Sequence, residues 1–137
     1  QCKKFFDSKR DDALFEGDYL KRLDHSSIIK IYDSYVTEDS YYLILEYING
    51  GELYDTIIGF KHFNEKMASK MMYQLLSAVA YLHDKNLVHR DIKPENLVLD
   101  SRGYIRITDL GIARIFRQQN SSDTSGTPGY MCKFVNI

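Results

Sequence analysis

The sequence has no tryptophan, two cysteines and two prolines among its 137 residues. Cys2 and Cys132 alone cannot build a disulfide framework or a four-cysteine zinc site. A reducing, intracellular setting is therefore expected, and with it a cytoplasmic location. Pro94 and Pro128 both lie late, and no long Gly/Ser/Pro linker divides the chain. Apolar stretches such as Tyr41–Leu45 fall far short of the roughly 18 residues that span a bilayer. There is also no charged start followed by an apolar signal region. No sign of charge dominates: 18 Lys plus Arg against 19 Asp plus Glu leave a net charge of −1. That balance gives no reason to expect nucleic acid or an anionic membrane as a partner.

What is present is ordinary globular material. Hydrophobic residues make up 44% and charged residues 27%, which excludes a disordered tail or a low-complexity linker. The length suits one domain and is too short for two. The chain opens on Gln1 rather than Met, so a segment upstream is expected.

Periodicity gives a coarse order of helix, hairpin, helix, hairpin and loop, an α+β pattern. Asp11–Leu23 reads as a helix, with Leu14, Tyr19, Leu20 and Leu23 near helical spacing. Ile28–Val36 and Tyr41–Ile48 are rich in β-branched and aromatic residues and flank a polar turn, which predicts a β-hairpin. Asn49-Gly50-Gly51 ends that pattern. From Lys66 to His83, Met67, Met71, Leu75 and Val79 recur every four residues, as do Ala68, Met72, Leu76 and Ala80. Two adjacent rows predict a helix with one wide buried face, capped by Asn64. Leu97–Leu99 and Ile105–Thr108 read as strands joined by a tight turn, and Arg117–Gly126 as a mobile polar loop.

Chemistry concentrates in His89-Arg90-Asp91-Ile92-Lys93-Pro94-Glu95-Asn96, directly after the long helix. Asp91 can accept a proton from an attacking hydroxyl. Lys93 can neutralise charge on a transferring phosphoryl group, and Asn96 offers an amide oxygen suited to Mg²⁺. Asp109-Leu110-Gly111 follows a strand 18 residues after Asp91. A carboxylate there suits a metal that bridges phosphates.

The octet resembles the H-R-D-x-K-x-x-N catalytic loop of eukaryotic protein kinases. Its spacing to Asp109 and the downstream Gly126-Thr127-Pro128-x-Tyr130 strengthen the resemblance. It implies part of a bilobal fold: residues 1–48 from the β-rich N-lobe, and 49–137 from the first half of the helical C-lobe. It implies ATP and Mg²⁺ as cofactors, protein Ser/Thr hydroxyls as acceptors, and Asn96 and Asp109 as metal ligands. Lys93 and Gly-Thr-Pro resemble the serine/threonine branch, nearest its calcium/calmodulin-type or cyclic-nucleotide-type members. Thr127 resembles the threonine that contacts Asp91 and Lys93.

Further positions follow from the same resemblance. Glu16 stands where the family's C-helix glutamate pairs with a phosphate-gripping lysine; Lys4 fits that lysine best and Lys3 is second. Leu45 would be the gatekeeper, with the Glu46 carbonyl and Ile48 amide on the adenine edge. Glu52 would contact the ribose or a basic substrate residue, and Val98 would form the pocket floor with Leu53 below it. Leu20, Ile31, His89 and Leu110 match a hydrophobic column linking the lobes, with Leu110 in place of the usual Phe. Asp123 stands where many relatives carry a phosphorylated threonine and is expected to face Arg90; Thr124 or Ser125 are the alternative phosphate acceptors.

The resemblance also lapses. No Gly-rich loop precedes the third strand, and Cys132-Lys133-Phe134 stands in place of Ala-Pro-Glu. The match therefore covers about half of an ordinary kinase domain. The helices that follow in the family often contain a tryptophan, in keeping with its absence here. This piece alone is expected to expose apolar surface around the Met-rich helix, to be poorly stable and to be inactive or nearly so. The alternative reading is a truncated, kinase-like interaction module without catalysis.

Overall fold

The computed structural model describes residues 2–3, 18–37, 40–60, 63–110, 114–115 and 126–130. Three strands form an antiparallel sheet in the order β1-β3-β2: β1 (Cys2–Lys3), β2 (Ile31–Val36) and β3 (Tyr41–Leu45). The β2–β3 hairpin pairs Tyr35 with Tyr42 and Ile31 with Leu45, with an irregularity between Ile31 and Asp33. Thr37 closes the turn by donating its N–H to Ser40 O at 2.8 Å. The hairpin is where the β-branched and aromatic runs predicted it, but both strands are shorter. Ile28 makes an isolated parallel bridge to Ile107 instead of extending β2. Residues 46–48 lie beyond the strand, although Glu46 still donates its N–H to Lys30 O at 2.9 Å and accepts Lys30 N–H on its side chain.

The first predicted helix falls mostly outside the described residues; 18–21 are helical, and the chain turns at Arg22. A short helix the pattern did not reveal, α1 (Leu53–Phe60), follows Gly50-Gly51. Only Leu53 on it is buried, with Ile57 one turn on packed beside the core. So sparse an apolar face has little periodic signal.

The long helix α2 (Glu65–Asp84) matches its prediction to one residue at each end. The Asn64 side chain accepts from Met67 N–H at 2.9 Å, the expected N-cap. At the other end Asn86 takes a left-handed φ of +56°, a conformation asparagine tolerates after a helix. The predicted wide buried face is narrower than expected. Ala78 and Leu82 are buried, and Met71, Leu75 and Val79 pack on the core. The row Ala68, Met72, Leu76 and Ala80 is exposed, Leu76 at 59%. Four-residue spacing fixes which residues share a stripe, but not whether anything covers it.

Beyond α2 come β4 (Leu87–Val88), a 3₁₀ turn (Pro94–Asn96), β5 (Leu97–Leu99), β6 (Ile105–Ile107) and β7 (Arg114–Ile115). β5 and β6 form a hairpin with Val98 opposite Arg106, and β4 pairs with β7. β6 ends at Ile107, one residue earlier than predicted. The core gathers Leu20, Leu23, Ile28, Ile31, Leu53, Ala78, Leu82, Leu87, Leu97, Leu99, Ile105, Ile107 and Leu110. Leu82, Ile105 and Ile107 are its most enclosed large side chains, each worth about 1.5–3 kcal/mol of burial.

Candidate active site

The β5–β6 hairpin brings the chemistry together. Asn96 enters β5 and Asp109 follows β6, and Thr108 donates its N–H to Asn96 O at 2.8 Å. The backbones carrying Asn96 and Asp109 are therefore neighbours, though 13 residues separate them in sequence. His89 is buried and donates from Nε2 to Thr108 O at 2.8 Å, while its Nδ1 accepts the Asp91 N–H at 3.3 Å. One imidazole thus ties the octet to the end of β6. Gln74 of α2 holds the start of β6, its Oε1 accepting Ile105 N–H at 2.8 Å.

The Asp91 side chain is heavily engaged. Its Oδ1 accepts from Thr127 N–H at 2.9 Å and from the Thr127 hydroxyl. Its Oδ2 accepts from Asn96 Nδ2 at 2.9 Å and lies 3.1 Å from Lys93 Nζ. Lys93 Nζ also donates to Thr127 Oγ1 at 2.6 Å. Burial works to raise the Asp91 pKa. Hydrogen bonds from Thr127, Lys93 and Asn96, with the Lys93 charge, outweigh it and bring the carboxyl down to about 2. Arg90 and Asp109 hold positive φ values of 71° and 54°. Such backbone costs of order 1–3 kcal/mol each, tolerated where the surroundings fix it.

Two hard oxygen donors suit a metal held jointly with phosphates. Asn96 Nδ2 is spent on Asp91 O and Oδ2, which leaves the amide oxygen as a ligand atom. Mg²⁺ commonly takes one or two protein oxygens plus substrate phosphates and water rather than a full protein cage. Among the described residues, no group of three or more His, Cys, Asp or Glu could hold a metal alone. The donor set of Asn96 and Asp109 fits the shared mode.

The expected nucleotide edge lies along 45–52. Leu45 ends β3, half-buried on the core, and Ile48 is half-buried beyond it. Glu52 is exposed and bridges to the half-buried Val98, and Leu99 N–H donates to Gly51 O at 2.9 Å. Gly50 is required there, since a Cβ would sit 2.1 Å from Leu99 O. Leu20, Ile31 and Leu110 of the expected column share the core cluster, and His89 is buried as well. Lys3 lies on β1 opposite Tyr41. Lys4, Glu16, Asp123, Thr124, Ser125 and Cys132 lie outside the described residues, so the expected lysine–Glu16 and Asp123–Arg90 pairs do too. The motifs did not reveal Arg106, whose side chain meets Glu46 and Ser26; its only sequence signal is a charge between Ile105 and Ile107.

The sequence is similar to known proteins over nearly its whole length. The "Protein kinase domain" family model matches residues 2–133. The chain is 39% identical over 136 residues to calcium/calmodulin-dependent protein kinase type 1 of Macrobrachium nipponense, covering 97% of this chain and 39% of that protein. It is 37% identical over 120 residues to CBL-interacting protein kinase 33 of Oryza sativa subsp. japonica, covering 85% and 26%. It is 42% identical over 113 residues to the probable serine/threonine-protein kinase MARK-C of Dictyostelium discoideum, covering 80% and 15%. The chain thus spans well under half the length of these curated relatives.

Proposed function

The chain belongs to the protein kinase family, and on that footing we propose that it is the central part of a serine/threonine kinase. The whole protein transfers the γ-phosphoryl group of ATP to Ser or Thr hydroxyls of protein substrates. The observation that carries this reading is the fourfold engagement of Asp91 by Thr127, Lys93 and Asn96.

Asp91 orients the acceptor hydroxyl and takes up its proton as the new P–O bond forms and the γ-phosphorus bond to the bridging oxygen of ATP breaks, releasing ADP. Its low pKa keeps it ionised at neutral pH, so the hydroxyl meets a carboxylate. Lys93 holds positive charge beside Asp91, where negative charge on the phosphoryl oxygens needs balancing. Thr127 spans both and fixes their separation. Asn96 and Asp109 would hold magnesium, which when bound would offset the negative charge of the phosphates. The Glu46 carbonyl and Ile48 amide would face the adenine edge, with Leu45 behind it, Val98 below and Glu52 at the ribose side. Lys4 and Glu16 complete the phosphate grip in this reading.

The test is phosphorylation of a Ser/Thr peptide from γ-labelled ATP by the intact polypeptide that carries this chain, beside an Asp91→Asn variant. Magnesium-dependent label on serine or threonine, lost in the variant, is the expected result. Nucleotide binding without turnover in the unaltered protein would overturn catalysis and favour the interaction module.

A further inference from the structure

Three segments meet at Arg106. Its Nη1 donates to Ser26 O, and its Nε lies 3.8 Å from Glu46 Oε1. The same Glu46 oxygen accepts Lys30 N–H at 2.7 Å, and Glu46 N–H donates to Lys30 O at 2.9 Å. Glu46 is therefore clamped to residue 30 by both backbone and side chain. At the other end, Gly51 and Glu52 are clamped to Val98 and Leu99. Arg106 and Val98 are cross-strand partners in one hairpin. The 46–52 segment is thus hung at one end on β5 and held at the other by Lys30 and the charge of Arg106 on β6, in the hairpin that Asn96 and Asp109 flank.

The suspension is incomplete at one point. Arg106 Nε is buried and has no hydrogen-bond partner. An enclosed, unused donor costs free energy that the Glu46 carboxylate, still 3.8 Å away, does not recover by hydrogen bonding. Both side chains are about one-fifth exposed, so solvent screens their attraction only in part. A movement of under an ångström would bring Glu46 onto that donor.

We infer that Arg106 and the Glu46 carboxylate form a positioning pair that aligns the 46–52 segment for nucleotide binding. Neither side chain touches the nucleotide. When adenine engages the Glu46 carbonyl and the Ile48 amide, Glu46 settles onto Arg106 Nε. The bond gained there adds to nucleotide affinity and holds adenine and metal ligands on one frame. This inference rests on the kinase reading above.

The test is equilibrium binding of a fluorescent ATP analogue with Mg²⁺ to the intact polypeptide, alongside KM for ATP and kcat. Glu46→Gln and Arg106→Met are each expected to weaken binding and raise KM about tenfold, the worth of one charge-assisted hydrogen bond. At saturating ATP, Arg106→Met should keep kcat within about twofold, because the pair acts on binding. The double variant should bind no worse than either single one, because both remove the same interaction. Arg106→Lys keeps charge and stem but lacks Nε, so it should fall between the wild type and Arg106→Met. Thermal melting without nucleotide reads folding separately; if Arg106→Met fails to fold, Glu46→Gln and Arg106→Lys decide the matter. Single variants that bind like the unaltered protein, or a double variant whose loss is the product of the single losses, would overturn the pairing. An unaltered polypeptide that binds no nucleotide would overturn the kinase reading, and the pair's role with it, before any variant is compared.

Discussion

Thr127 N–H donates to Asp91 Oδ1 at 2.9 Å, across 36 residues of chain. The Thr127 hydroxyl meets the same oxygen and also receives Lys93 Nζ at 2.6 Å. A segment far along the sequence therefore sets the geometry of the octet's acid and base groups.

Replacing Asp91 by Asn keeps the shape but removes the charge that Lys93 and Thr127 address. In the intact polypeptide, Asp91→Asn is expected to lower kcat by at least about 100-fold, the usual worth of a positioned base. Affinity for an ATP analogue should change by less than about threefold, since the Asp91 carboxylate is engaged by Thr127, Lys93 and Asn96 rather than by the 45–52 segment. Single-turnover kinetics with parallel nucleotide titration checks both. Retained turnover would remove Asp91 from its role.

Thr127→Val removes the hydroxyl but leaves the backbone N–H on Asp91. Lys93 Nζ then loses its shortest partner and gains freedom to swing. The expected outcome is about a tenfold fall in kcat, with Thr127→Ser restoring most of it. Steady-state rates for the three proteins decide it.

The pH dependence of Asp91 has a definite sign. Its carboxyl titrates near 2 in the fold, against an ordinary value of 3.8. A depressed acid stabilises the fold fully above its unfolded value and loses that contribution as pH falls through the folded one. The stability difference between the chain and its Asp91→Asn variant should thus be flat above about pH 5 and shrink steadily towards pH 2. Urea unfolding at several pH values measures it. A difference that shrinks already between pH 6 and 5 would contradict the placement of these donors.

Much of this was legible from residues alone, for reasons that differ by element. Helix α2 announces itself because a period-four pattern extends over many residues, and the β2–β3 hairpin because two β-branched and aromatic runs flank a polar turn. The octet and Asp109 are legible because their residue types and spacing resemble the pattern of the family whose model matches the chain. Helix α1 is not, since Leu53 alone is buried on it. Arg106 is not, because its partners Glu46 and Ser26 are brought to it only by the fold. The exposed Met72–Leu76 row bears out the expectation of open apolar surface around the Met-rich helix, though not the reading of one wide buried face: an apolar stripe states a preference for cover, while the cover comes from elsewhere in space.

That exposed row makes a stability prediction. Leu82 is enclosed, so Leu82→Ala should cost about 2–5 kcal/mol. Leu76 at 59% and Met72 at 53% exposure give up little on truncation. Met72→Ser with Leu76→Ser is expected to change the stability of this 137-residue chain by under about 1 kcal/mol and to reduce its self-association. Chemical denaturation and light scattering test the two halves. A loss comparable to Leu82→Ala would mean that the row is covered in solution.

Gly50 offers the sharpest steric test of how the 46–52 segment is hung. An added methyl would meet Leu99 O at 2.1 Å and Asp100 O at 2.8 Å, both backbone atoms that cannot rotate away. Gly50→Ala must therefore push the segment off β5, straining the Leu99 N–H to Gly51 O bond. Overpacking of this kind costs about 1–3 kcal/mol. Gly51→Ala meets nothing within 4 Å and is strained only by its φ of +82°. In the intact polypeptide, Gly50→Ala should weaken ATP-analogue binding by about tenfold or more, because the displaced segment carries Glu46 and Ile48. Gly51→Ala should lower the melting temperature but leave affinity within about threefold, since its cost is local. Equal losses of affinity in both variants would show that the segment's backbone freedom, rather than its seat on Leu99, governs nucleotide binding.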